Sequence, residues 1–189
     1  MRTALFGGTF DPVHLGHMKA ARAVADALSL DRVFFIPANI PPHKGGVHVS
    51  GMHRKRMLAL ATEGDARFFV SEFELEREET NYSFITAEYF AKLYPLDTLY
   101  FITGDEAYNL LHTWKTPERI RAVADFVVVT RDNTPPPKDA LYVRMDAVDI
   151  SSTEVRRRLE EGEDASDLLP EAVYTYIKEK GLYKKKEVF

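Results

Sequence analysis

Residues 3–37 read TALFGGTFDPVHLGHMKAARAVADALSLDRVFFIP, and their periodicity decides the fold. Thr3–Phe6 and Arg32–Pro37 (RVFFIP) are apolar runs of strand length, and the Ala-rich HMKAARAVADAL between them has helical spacing. That is a β-α-β unit, which requires parallel strands joined by a right-handed crossover. The alternation continues along the chain. Asn39–Ser50 is a Pro/Gly loop, and Met52–Thr62 is helical with Ser50 as its N-cap. Ala66–Phe73 reads as strand, Ser83–Leu93 as helix and Thr98–Thr103 as strand. Short helices are expected around Glu106–His112 and Pro117–Ala124. Phe126–Thr130 (FVVVT) is an unbroken apolar run, as in a strand covered on both faces. Leu141–Met145 reads as a last strand, after a stiff TPPPKD loop at 134–139, and two helices start at Ser152 and Pro170. The pattern predicts an α/β fold: a Rossmann-like, doubly wound, mostly parallel sheet flanked by helices. One domain over 1–189 is expected, with a C-terminal helical portion at about 151–189. In such sheets ligands sit beyond the carboxyl ends of the strands.

Composition narrows the function classes. With 189 residues, 45% of them hydrophobic and 12% aromatic, the chain can bury a real core. A net charge of −4 gives no global basic field for nucleic acid or anionic membrane. The absence of cysteine excludes disulfides, thiolate metal sites and a thiol nucleophile. No stretch approaches the roughly 20 apolar residues of a bilayer span, and MRTALFGGTF is a poor signal peptide. A cytoplasmic protein is expected.

The turn after the first strand, GGTFDPVHLGH at 7–17, concentrates the chemistry. Gly7 and Gly8 let backbone N–H groups approach an anion, and the helix starting near Gly16 aims its positive end at the same spot. Thr9 adds a hydroxyl; His14 and His17 lie three apart, with Gly16 between them leaving room for a bulky ligand. These parts make a polyphosphate cradle. The loop is neither G-x-G-x-x-G nor G-x-x-x-x-G-K-[ST], which argues against a dinucleotide fingerprint and a P-loop. A zinc site at HxxH lacks an obvious third ligand, so no protein-held metal is expected. A plain turn with surface histidines is the bland alternative, and the coincidence of so many phosphate-binding features speaks against it.

A second cluster, ISSTEVRRR at 150–158, begins a helix. Ser151 with Glu154 fits a capping box. Ser152 and Thr153 occupy the first turn, where hydroxyls and free N–H groups face an anion, and Arg156 follows one turn later. The bland reading gives Arg156 an ion pair with Glu160 and Arg157 one with Glu161.

Together, GGTFDPVHLGH and ISSTEVR resemble the paired signature of the nucleotidylyltransferases, and within them the bacterial nicotinate-nucleotide adenylyltransferases. PPHK at 41–44, NYS at 81–83, FITGDEAYNLLHTWK at 101–115, VVVTR at 127–131 and LLPEAVYTYIKEKGLY at 168–183 extend the resemblance over the whole chain. It implies an enzyme of NAD biosynthesis that joins ATP to nicotinate mononucleotide, with Mg2+ held mainly by the ATP phosphates. Carried over residue by residue, it implies catalytic roles for His14, His17 and Arg156. Gly8, Thr9 and Phe10 then shape the phosphate loop, and Ser152, Thr153 and Arg156 hold the β- and γ-phosphates. Gly7, Lys44, Tyr82, Ser83, Trp114, Lys115 and Arg131 fall to the nicotinate mononucleotide side. The family's G-x-D after the fourth strand is here Gly104-Asp105-Glu106, so either Asp105 or Glu106 contacts the ATP ribose.

Rival acceptors within the superfamily are nicotinamide mononucleotide and pantetheine-phosphate. A pocket that prefers the acid should offer donors beside Trp114 and keep carboxylates away, and Thr113–Lys115 fits that description. Outside the enzyme class, a nucleotide sensor or RNA-binding module has only the basic run Lys184–Lys186 in its favour. A homo-oligomer stays open.

Overall fold

The computed structural model describes residues 1–39, 47–130, 138–145 and 149–185. Its centre is a six-stranded sheet in the order β3-β2-β1-β4-β5-β6. The strands are β1 (Arg2–Gly8), β2 (Arg32–Pro37), β3 (Phe68–Val70), β4 (Thr98–Gly104), β5 (Asp125–Thr130) and β6 (Leu141–Arg144). Every neighbouring pair is parallel. The opening β-α-β prediction holds, with α1 (Leu15–Ala27) as its crossover. Met18, Ala21, Val24 and Ala25 of α1 are buried, the apolar stripe that the Ala-rich run foretold.

Both faces of the sheet are covered, and the strands alternate accordingly. Ala4, Phe6, Val33, Phe35 and Ile102 point into one apolar cluster; Leu5, Ile36, Leu99, Phe101 and Phe126 point into the other. The first cluster also takes Met57 and Leu58 of α2 (Gly51–Thr62), Val155 and Leu159 of α6 (Ser152–Glu161), and Val173 and Ile177 of α7 (Glu171–Lys180). The second takes Phe84 and Phe90 of α3 (Ser83–Leu93) and Ile120 of α5 (Pro117–Arg121).

Several boundaries differ from the sequence reading. Gly7 and Gly8 are the last residues of β1, in register with Ile36 and Pro37, rather than the start of the loop. The strand expected over 66–73 shrinks to β3, because only its middle, Phe68–Val70, pairs with β2 at Val33–Phe35. The helix expected over 106–112 splits into α4 (Asp105–Asn109) and a 3-10 turn, Leu111–Thr113. No helix among the described residues is long and apolar enough to cross a membrane.

Strand order reverses between β1 and β4, with β2 and β3 on one side and β5 and β6 on the other. The chain leaves the carboxyl ends of β1 and β4 in opposite directions there, opening the crevice where a ligand fits.

Candidate active site

At the end of β1 the chain turns sharply into α1. Phe10 sits at φ +48°, in the left-handed region, yet is only 2% exposed. Burial of its ring against Phe6, Phe35 and His17 holds that unfavourable backbone in place. Gly8 is required beside it: a Cβ there would lie 3.0 Å from the Phe10 ring. Gly16 plays the same part for His14, whose ring would be 3.0 Å from an added Cβ. Gly16 thus makes room first for the His14 ring, and it also lines the cavity beside that ring.

His14 is the N-cap residue of α1 and is 4% exposed, not a surface loop histidine. Its ring lies on that of His17 with centroids 3.7 Å apart and planes 30° from parallel. The backbone N–H of His14 donates to His17 Nδ1 at 3.2 Å. An obligatory donor facing Nδ1 makes that nitrogen an acceptor, so neutral His17 carries its proton on Nε2. The ring is thereby oriented as a donor.

The N-terminus of α6 closes the other side. Ser151 Oγ accepts from Glu154 N at 3.1 Å. The reciprocal half of a capping box is missing, because the Glu154 carboxylate pairs with Arg157 and Arg158. Arg157 also pairs with Glu161, as expected. Arg156 does not pair with Glu160. Its Nη1 donates to the Asp11 carbonyl at 2.7 Å and its Nη2 to Thr153 Oγ1 at 3.2 Å. Ser152 Oγ donates to the Pro12 carbonyl at 3.0 Å, so its proton is turned to the loop and its lone pairs outward. Both clusters read from the sequence are therefore joined directly.

Two cavities meet at this crevice. The histidine cavity, about 730 Å3, is lined by His14, His17, Ser152, Thr153 and Arg156, with Asp105 and Glu106 on its β4 side. The aromatic cavity, about 650 Å3, is lined by Gly7, Tyr82, Ser83, Trp114 and Lys115. They share Phe6, Gly8, Thr9, Ile102, Thr103 and Gly104, the carboxyl ends of β1 and β4. Phe10 lines only the histidine cavity.

Asp105 and Glu106 have different surroundings. Asp105 Oδ1 accepts from Glu106 N at 2.8 Å and its Oδ2 accepts from Thr130 Oγ1 at 3.4 Å, which fixes the carboxylate at the start of α4. Glu106 is exposed. In the aromatic cavity, half-buried Trp114 meets Phe101 edge to face at 6.1 Å. The Lys115 ammonium lies 4.3 Å from the centre of the Tyr82 ring, a cation–π contact that ties NYS to HTWK. Lys44 and Arg131 lie outside the described residues.

The sequence reading missed the buried polar support. Arg54 of α2, completely buried, donates from Nη1 to the Thr9 carbonyl at 2.8 Å and the Ala38 carbonyl at 2.6 Å. Burial lowers its pKa, and the nearby Asp11 carboxylate counters that shift. Glu74 is 7% exposed, accepts from Thr86 Oγ1 at 2.6 Å and lines the aromatic cavity. The sequence expectation concerned only the stretch beside Trp114, Thr113–Lys115, which carries no carboxylate, so Glu74 adds a buried carboxyl elsewhere on this wall. Burial pushes the Glu74 pKa upward, favouring its uncharged form. Among the described residues no group of three or more His, Cys, Asp or Glu is arranged to hold a metal ion.

The geometry has counterparts in known proteins. A family described as cytidylyltransferase-like matches residues 5–158. A Thermus thermophilus protein named as a probable nicotinate-nucleotide adenylyltransferase is 44% identical over 97% of this chain and its own full length. A protein of the same name from Clostridium tetani is 34% identical, over 97% of this chain and 99% of its own. The fold superposes on a Plasmodium falciparum nicotinic acid mononucleotide adenylyltransferase complexed with NaAD, with a TM-score of 0.79 at 18% identity. That match covers 96% of this chain and 97% of the other.

Proposed function

We propose, from the premise that this chain belongs to the cytidylyltransferase-like family and to its nicotinate-nucleotide adenylyltransferases, that it transfers the adenylyl group of ATP to nicotinate mononucleotide. The products are nicotinate adenine dinucleotide and pyrophosphate, a step of NAD biosynthesis suited to the cytoplasm. One observation carries the reading: two cavities, one rich in phosphate-binding groups and one aromatic, share a wall at Gly8, Thr9, Thr103 and Gly104. Two nucleotides seated there bring their phosphates together at that wall.

The phosphate oxygen of the mononucleotide attacks the α-phosphorus of ATP, and the bond from that phosphorus to the bridging oxygen of the β-phosphate breaks. A phosphate oxygen is already nucleophilic, so no side chain needs to form a covalent intermediate. Alignment and neutralisation of the leaving pyrophosphate supply the rate. His17, held as an Nε2–H donor by the His14 backbone, bonds the phosphate oxygens as charge grows. His14, Arg156, Thr153 and the α6 N-terminus receive the triphosphate. Asp105, fixed by Thr130 and the α4 N-terminus, is better placed than exposed Glu106 to hold the ribose hydroxyls. Trp114 and Tyr82 receive the pyridine ring, with the Ser83 hydroxyl as a donor to its carboxylate; the Thr113 and Trp114 backbone N–H groups expected for that part already donate to the Leu110 and Leu111 carbonyls. Lys44 and Arg131 are assigned to the same substrate by sequence alone.

Magnesium would be carried by the triphosphate and its waters, and would supply positive charge to the leaving pyrophosphate. The histidine cavity's described lining fits an ion held that way, since it offers Asp11, Asp105 and Glu106 as single carboxylates rather than a three-ligand cluster.

Pyrophosphate release from ATP and magnesium, measured with each mononucleotide, tests the reading. The acid should have a kcat/KM at least about tenfold above the amide, roughly 1.4 kcal/mol. Equal values remove the nicotinate label; no release with either removes the transferase.

A further inference from the structure

Asp11 lies one residue past the strained Phe10 and lines the histidine cavity, yet it is only 3% exposed. Three distant parts of the chain converge on it. Its Oδ2 accepts from the His48 backbone N–H at 2.6 Å. Its carbonyl accepts from Arg156 Nη1 at 2.7 Å, and its Oδ1 accepts from the Tyr183 hydroxyl at 2.6 Å.

Tyr183 is an unusual place to find such a donor. It stands near the end of the chain, beyond the Gly181 that terminates α7, and nothing in the transfer reaction requires a group there. It is nevertheless 7% exposed and held at φ +60°, a backbone conformation that a non-glycine residue keeps only when its surroundings insist. What insists is the side chain. The ring belongs to the apolar cluster beneath the sheet, and the hydroxyl ends on Asp11. Burial beside the Asp11 carboxylate raises the phenol's pKa, so it stays a proton donor across the whole working range.

We propose that Tyr183 is a positioning residue for adenylyl transfer: through Asp11 it fixes the guanidinium of Arg156 against the triphosphate. The inference rests on the transferase reading above. The logic is a chain of fixed contacts. The Asp11 carbonyl is the acceptor that orients Arg156, and a carbonyl is only as fixed as its peptide. Tyr183 and the His48 backbone pin the carboxylate from two directions, while Arg54, donating to the Thr9 carbonyl, pins the peptide just upstream. Removing the hydroxyl leaves a buried carboxylate oxygen without its donor, and the whole residue reorients to find another. Arg156 loses its bearing although no atom of Tyr183 reaches the substrate.

The test is a double-mutant cycle on the full chain. Tyr183→Phe keeps the ring in its cluster and removes only the donor. Its kcat/KM for ATP should fall about tenfold, with the KM for the mononucleotide within twofold of the parent. In an Arg156→Ala background the same change should cost less than twofold, because the group it positions is gone. A full tenfold loss in both backgrounds, or unchanged kinetics in folded Tyr183→Phe, overturns the proposal. A purely structural tyrosine lowers the melting temperature equally in both backgrounds without that kinetic dependence. Should Tyr183→Phe fail to fold, Asp11→Asn runs the same cycle from the other end of the bond, with the same expected non-additivity. Parental turnover in the same assay reports the transferase reading by itself, so its failure is distinguishable from an additive cycle.

Discussion

The loop between β1 and α1 is built from rings that need neighbours without side chains. Gly16 is not forced by a left-handed backbone, so its requirement is steric: an added Cβ meets His14 Cε1 and Nδ1 at 3.0 Å. Gly16→Ala should therefore shift the His14 ring off His17 and lower kcat about tenfold, the scale of a misplaced catalytic group. Its melting temperature should drop by only a few degrees. Steady-state kinetics beside a thermal melt separates the two effects; parental kcat would show that the ring stack is incidental. His17→Ala goes further, removing an oriented Nε2–H donor at a cost of at least about 100-fold in turnover. His17 is half-buried, so the fold should hold. Near-normal turnover in the folded variant sinks its catalytic role. His14→Ala should behave differently from His17→Ala. At 4% exposure and at the head of α1, His14 also supports the helix, so turnover and stability should fall together.

Between elements, the segment joining β3 to α3 shows what a sequence hides. SEFELERE, 71–78, carries four glutamates, yet Glu74 is buried against Thr86 of α3. In the same way HRKR, 53–56, offers three basic residues of which Arg54 alone is completely buried. Periodicity separates apolar from polar positions but cannot say which charge a backbone carbonyl will recruit. The strands were legible because a parallel sheet covered on both faces demands near-continuous apolar runs. Glu74 also makes a pH prediction. Its folded pKa lies above the ordinary carboxyl value, so between the two values the folded state holds a proton that the unfolded chain has released. Stability is then greatest below the unfolded value and is lost as pH rises towards the folded one. Glu74→Gln cannot titrate and still accepts from Thr86. The melting temperature of Glu74→Gln minus that of the parent should grow as pH is raised from below the ordinary carboxyl value. A gap that does not widen as pH rises from below the ordinary carboxyl value contradicts the upward shift.

Across the whole molecule, the doubly wound sheet with a phosphate-binding turn at the carboxyl end of its first strand was readable, whereas the strand order that sets β4 beside β1 comes from the structure. The ties that complete the site were not. Arg156 and Tyr183 reach Asp11 across 145 and 172 residues of sequence, and no local pattern marks such a partner. The resulting architecture divides labour. The histidine cavity takes its distinctive groups from α1, α4 and α6, the aromatic cavity from α3 and the turns after α4, and only the strand ends are common. Kinetic effects should divide along the same line. Arg156→Ala should lower kcat/KM for ATP while leaving the ratio of acid to amide acceptor unchanged, because Arg156 contacts only the first cavity. Trp114→Ala should depress the use of both mononucleotides, since a stacking face serves either ring, with the KM for ATP held within about twofold. In the double variant the losses should multiply, as expected for sites without shared partners. Measurement of both substrates' constants in the four proteins decides the matter. An altered acid-to-amide ratio in Arg156→Ala would mean that α6 faces the acceptor, and the assignment of the two cavities would have to be exchanged.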